Sequence, residues 1–176
     1  MRQIVKATFP VISLFLFLAI ITSGAFAEDD KDLGRFKSWQ AHSYKQSGDT
    51  ICNLWSRPKT HAEGGKPRGD IFIYVTHRPK SKRFHEVSLD MGYPLKANSN
   101  VTVKIGSKSF KLFVKGQSAF GRSEDDPKMV KAMRAGNSMT ITGQSTKGTK
   151  TKDTYSLSGF SKGNNAINKA CGTKKP

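Results

Sequence analysis

Residues 101–115 read "VTVKIGSKSFKLFVK". In Val101–Ile105 the apolar Val101, Val103 and Ile105 share one face, with Thr102 and Lys104 on the other. In Ser109–Lys115, Phe110, Leu112 and Val114 face one way, and Lys111, Phe113 and Lys115 the other. Side chains along a strand alternate between faces, so this period of two predicts half-buried antiparallel strands.

Further strand signals flank this pair, each bounded by Gly, Asn, Ser or Lys-rich turns. They are Phe36–Ala41, Ile51–Ser56, Ile71–His77, Glu86–Met91, Ser138–Gly143 and Asp153–Gly159. Ile71–Val75 is apolar on both faces, which suits a central strand or one beneath a helix. Asp126-Pro127 predicts a helix start, since Asp can cap and Pro suits the first turn. Met129, Val130 and Met133 then share a helical face, and Gly136 ends the run. Glu124, Asp125 and Asp126 are expected to favour the positive end of that helix dipole; a metal site is the alternative. Lys162–Ala170 suits one or two further helical turns. The expected fold class is all-β: an antiparallel β-sandwich, jelly-roll-like, with one or two short helices. The strands are short and lack aromatic girdles, which argues against a membrane barrel.

The N-terminus carries an address. Arg2 and Lys6 precede the uncharged run Val11–Ile21, and Ala25 and Ala27 supply the small residues of a cleavage site. Residues 1–27 therefore read as a secretory signal peptide, cut between Ala27 and Glu28. The apolar run is too short for a spanning helix, which needs about 20 residues. No other run approaches that length. Residues 28–35 read as a flexible acidic N-terminus, residues 36–171 as one domain, and residues 172–176 as a basic tail. Export makes a disulfide the expected state of the two cysteines, Cys52 and Cys171, with a reactive thiol as the rival. A bridge closing so long a loop is worth about 4–5 kcal/mol in loop-closure theory.

The segments "WQAHSY", "CNLWSRP", "RGDIFIYVTHRP", "EVSLDMGYPLK", "MVKAMRAGNSMTI" and "DTYSLSGF", in that order, resemble the invasion-associated locus B (IalB) family of exported bacterial proteins. The resemblance covers roughly residues 36–171. It implies an all-β, non-enzymatic envelope protein and supplies no catalytic residues or cofactor. It also implies a central cysteine pair that this chain lacks between Asp90 and Asp126, so packing alone must hold that region.

No short catalytic motif is present, and His42, His61, His77 and His85 show no metal-ligand spacing. His77 and His85 flank the basic turn Arg78–Arg83, expected to be a solvated hairpin. The formal charge of +17 points to an acidic partner: an anionic envelope polymer or a host-surface protein. Nucleic acid is not expected in an exported compartment. The candidate anion-binding residues are Lys111, Phe113 and Lys115 on one strand face, and Arg78, Lys80, Lys82 and Arg83 in the turn. Phe113 could stack on a ligand. The ordinary expectation for so large an apolar side chain is burial under a helix or second sheet. Arg68-Gly69-Asp70 matches the tripeptide gripped by integrins, but it runs straight into Ile71-Phe72-Ile73. The structural expectation is that Gly69 lets the chain turn into a strand, with Arg68 and Asp70 at the sheet rim and Gly64–Pro67 as the loop. The expected location is the periplasm, with the outer surface or the medium as alternatives. The alternative function is a periplasmic small-ligand-binding protein or an enzyme whose site forms only in three dimensions.

Overall fold

The structure is a computed structural model and describes residues 30–62, 68–174 and 176. The expected signal peptide, its expected cleavage point and the expected Gly64–Pro67 loop lie outside the described residues.

The alternation of Val101–Lys115 becomes a hairpin of β7 (Asn100–Ile105) and β8 (Lys108–Lys115), with Val103 opposite Phe110. Val101, Val103, Ile105 and Leu112 are buried, and Lys104, Lys111 and Lys115 are exposed. The other strands are β1 (Lys31–Phe36), β2 (Trp39–Gln46), β3 (Asp49–Ser56), β4 (Thr60–Ala62), β5 (Phe72–Arg78), β6 (Arg83–Asp90), β9 (Ser118–Phe120), β10 (Ser138–Gln144) and β11 (Lys150–Ser156). They form one antiparallel sheet in the order β1-β2-β3-β5-β6-β9-β8-β7-β10-β11-β4. The expected all-β antiparallel class is observed. The two layers are halves of one continuous sheet, whose inner faces share a single core. Leu54, Ile73, Val75 and Leu89 from one half meet Val103, Leu112, Ile141 and Tyr155 from the other. Burying each such side chain stabilises the fold by about 1.5–3 kcal/mol.

The far ends of the sheet meet. Trp39 on β2 donates its indole Nε1–H to the Ser156 carbonyl at the end of β11, at 2.9 Å. The Lys37-Ser38 turn between β1 and β2 also lies against the start of α2 (Phe160–Ala170), where Gly159 adopts φ +93°. A side chain on Gly159 would strike the Phe36 carbonyl, so only glycine permits this approach. Helix α2 buries Phe160 and Ile167, and Phe160 meets the Trp39 ring edge-on at 4.8 Å. Cys171 then closes a disulfide with Cys52 on β3, 119 positions away.

Two expectations change here. Residues 31–35, expected within a flexible N-terminus of residues 28–35, instead form β1 with Phe36, paired with β2, and Leu33 and Phe36 pack against the core. Helix α1 (Asp126–Ala135) buries Met129, Val130 and Met133 on the expected face, but no carboxylate caps it. Asp125 instead pairs with Lys128 at 3.1 Å, and Asp126 is buried.

Candidate functional site

The Arg68-Gly69-Asp70 segment shows how strongly the fold sorts neighbouring charges. Arg68 is not at the rim. Its side chain is 4% exposed and makes a two-pronged pair with Asp153 of β11, at 2.7 and 2.9 Å. Its Nε and Nη2 also donate to the Met91 carbonyl, and its guanidinium lies 4.9 Å from the Tyr93 ring centroid. Gly69 serves a close backbone approach: its N–H donates to the Gly92 carbonyl at 2.9 Å. Asp70, in contrast, is exposed and pairs with exposed Arg57. An integrin needs Arg and Asp accessible together, which this arrangement denies.

The basic turn is a solvated hairpin, as expected, but its flanking histidines are buried. His77 accepts the His85 backbone N–H at Nδ1, so its neutral form carries the proton on Nε2 and donates to Asn168 Oδ1 at 2.8 Å. Burial lowers the His77 pKa to about 4, against the opposing pull of the Asn168 hydrogen bond. Burial also lowers that of His85. Within the turn, Arg78 and Arg83 both pair with Glu86 at 3.1 Å, and the Lys80 ammonium donates to the Ser47 carbonyl. Lys82 is exposed in a left-handed conformation.

Phe113 overturns the expectation of burial. It is 44% exposed, on the outer face of β8 between exposed Lys111 and Lys115, and it packs on Phe120 of β9 at 5.6 Å between centroids. The two groups of candidates do not form one site. Arg78 and Arg83 face each other at one end of β6, while Lys115 lies at the other end through Ser118 and Asp90. Seven strand steps of ~3.3 Å separate the ends by about 20 Å.

Cross-strand register instead extends the Phe113 site sideways. Directly opposed residues run Arg35, Gln40, Trp55, Tyr74, Ser88, Phe120 and Phe113, from β1 to β8. Phe72 fills in beside them, edge-on to Trp55 at 5.4 Å and 5.7 Å from Tyr74. An aromatic band thus crosses the outer face, with Lys111 and Lys115 at one end. At the other end Arg35, Lys37, Arg57 and Lys59 gather around Trp55 in an open cavity of about 300 Å³. Asp90 lies beside the band and is held by the Ser118 hydroxyl.

Sequence reasoning missed the Trp55 end, because its cations come from β1, the following turn and the segment after β3. The alternation of Asp49–Ser56 was the available signal: Cys52, Leu54 and Ser56 point inward, so Trp55 must point out. Among the described residues, no group of three or more His, Cys, Asp or Glu could hold a metal. Among the described residues, the one strongly perturbed carboxyl is Asp126, raised to about 7 mainly by burial, with Glu86, Asp125 and Glu124 adding to it.

No curated protein matches the chain, and no solved structure does. The family model described as "Invasion associated locus B (IalB) protein" matches residues 39–168. That span runs from the Trp39 that joins the sheet ends to the Asn168 that holds His77, so it takes in most of the domain just described. The chain therefore belongs to the invasion associated locus B family.

Proposed function

We propose that this protein is an exported, non-enzymatic binding module whose outer sheet face contacts an anionic polymer of the bacterial envelope. The observation that carries this is the aromatic band with cations at both ends. Exposed aromatic rings next to lysines and arginines suit a partner with both flat surface and negative charge. The distance from β1 to β8, six strand spacings of ~4.8 Å, is about 29 Å along the sheet and suits an extended chain. Most of the basic side chains are uncompensated: only five ion pairs form among the described residues. An acidic host-surface protein is the other partner the same face would take, and the family description, invasion associated, is what brings it in. The disulfide supports an oxidising compartment, and the periplasm is the proposed location.

The test is sedimentation of the oxidised mature protein with isolated envelopes. Binding is expected at low salt and is lost near 1 M, where the screening length falls to about 3 Å. Lys111→Gln with Lys115→Gln should weaken it several-fold. Binding that resists salt and ignores both substitutions would sink the proposal.

A further inference from the structure

The four cations around Trp55 form a more specific feature than a charged face. Arg35 stands opposite Gln40, which stands opposite Trp55, so these three side chains line up on the outer surface. Lys37 enters from the β1–β2 turn, which Gly159 and the Ser158 carbonyl hold in place. Arg57 and Lys59 enter from beyond β3. Phe72 fixes two members at once: it packs edge-on against Trp55, and the Arg57 guanidinium lies over its ring at 4.3 Å. Arg35, Lys37 and Lys59 have no carboxylate partner among the described residues, and Arg57 spends one N–H on Asp70.

We infer that this cavity is a binding site for a phosphorylated saccharide unit. It rests on the proposal of an anionic envelope partner, but uses the opposite end of the band from Lys111 and Lys115. Three arguments select the ligand class. The cavity, about 300 Å³, is at the small end of small-molecule sites, so it admits a sugar-sized group and not a length of polymer. A carboxylate brings one negative charge. A phosphate monoester brings about 1.5 to 2 with three strong acceptor oxygens, a better match to three unpaired cations plus Arg57. The half-buried indole of Trp55 offers an apolar wall to the C–H face of a sugar ring, and the Gln40 amide offers a donor and an acceptor for hydroxyls. A larger open hollow of about 500 Å³ beside Lys150 and Lys152 has no aromatic wall and does not meet these conditions.

The chain has two tryptophans, which makes the test direct. Trp39 also lines the cavity, but its ring is buried with its Nε1–H bonded to Ser156, so its indole resonance should respond less than that of the half-buried Trp55. The mature protein would be titrated at low salt with glucose 6-phosphate, inorganic phosphate, glucose and glucuronate, following both indole N–H resonances. Glucose 6-phosphate should move the Trp55 signal more than that of Trp39, with an affinity at least tenfold above the other three. Lys37→Gln with Arg57→Gln should weaken it at least tenfold while thermal unfolding stays as in the parent. Equal binding of phosphate would reduce the cavity to a plain anion site and overturn the saccharide assignment. Equal binding of glucuronate would overturn the phosphate assignment. No movement with any probe would overturn the site itself. Envelope binding that still depends on Lys111 and Lys115 would then show that the broader proposal survives without it.

Discussion

Arg68 and Asp70 are two residues apart, yet each makes an ion pair in a different physical world. The Arg68–Asp153 pair is 4% and 0% exposed, with further hydrogen bonds to Met91. The Arg57–Asp70 pair is 57% and 71% exposed. Their closest contacts differ little, 2.7 against 3.1 Å. Their energetic meaning differs greatly. In the first, neither charge has water to return to, so losing one partner strands the other. In the second, water and salt replace whatever is lost. Burial, not separation, decides which pair the fold depends on.

The largest expected effect is therefore at Arg68. Arg68→Ala leaves Asp153 buried without its counter-charge and should cost about 3–5 kcal/mol in urea unfolding. Replacing both, Arg68→Met with Asp153→Leu, should recover most of that loss. A cost below 1 kcal/mol for the single change would show that water reaches Asp153 and would end the contrast.

A second effect extends the rule to buried groups that titrate. The unfolded His77 has the ordinary pKa of 6.5 and the folded one about 4. Its folded pKa is depressed, so its contribution is complete above pH 6.5 and is lost as pH falls toward 4, by about 3 kcal/mol. Asp126 works in the opposite direction. Its folded pKa is raised from 3.8 to about 7, so stability falls as pH rises through that window. The two partly cancel in the parent protein. In Asp126→Asn the acid loss from His77 should emerge, and urea midpoints at pH 7 and pH 4.5 would read it. Equal midpoints in that variant would contradict the burial account of His77. Asp126→Asn itself should be more stable than the parent above pH 7.

The smallest effect belongs to the exposed pair. Asp70→Asn should change stability by less than about 1 kcal/mol, with the difference shrinking further in salt. Adhesion of integrin-bearing cells, if any is seen, should be unchanged by Asp70→Glu. Adhesion abolished by that change in a folded protein would mean that Arg68 leaves its buried pair.

The strand framework was legible because burial of one sheet face imposes a period of two, which both strands of the Val101–Lys115 hairpin display. Helix α1 was legible from Pro127 and its apolar spacing. The short strands β4 and β9 escaped because three residues carry too little pattern. β1 escaped because its charged, glycine-bearing sequence becomes a strand only when β2 pairs with it and α2 covers it. Phe113 shows the limit of composition-based expectation: alternation placed it correctly on the lysine face, whereas its size argued for burial. Its place in the curled sheet leaves that face uncovered.

Which side of each strand is apolar can be read locally, since alternation is written residue by residue. Two cysteines in an exported chain likewise make a disulfide the expectation, and positive charge far exceeds negative. Which charges become partners, in contrast, depends on long-range packing. Arg68 finds Asp153 and His77 finds Asn168 across 85 and 91 positions. The cavity around Trp55 likewise draws its cations from separate segments. Such pairings arise from how the sheet curls and closes, a consequence of the whole chain's packing that no local stretch encodes.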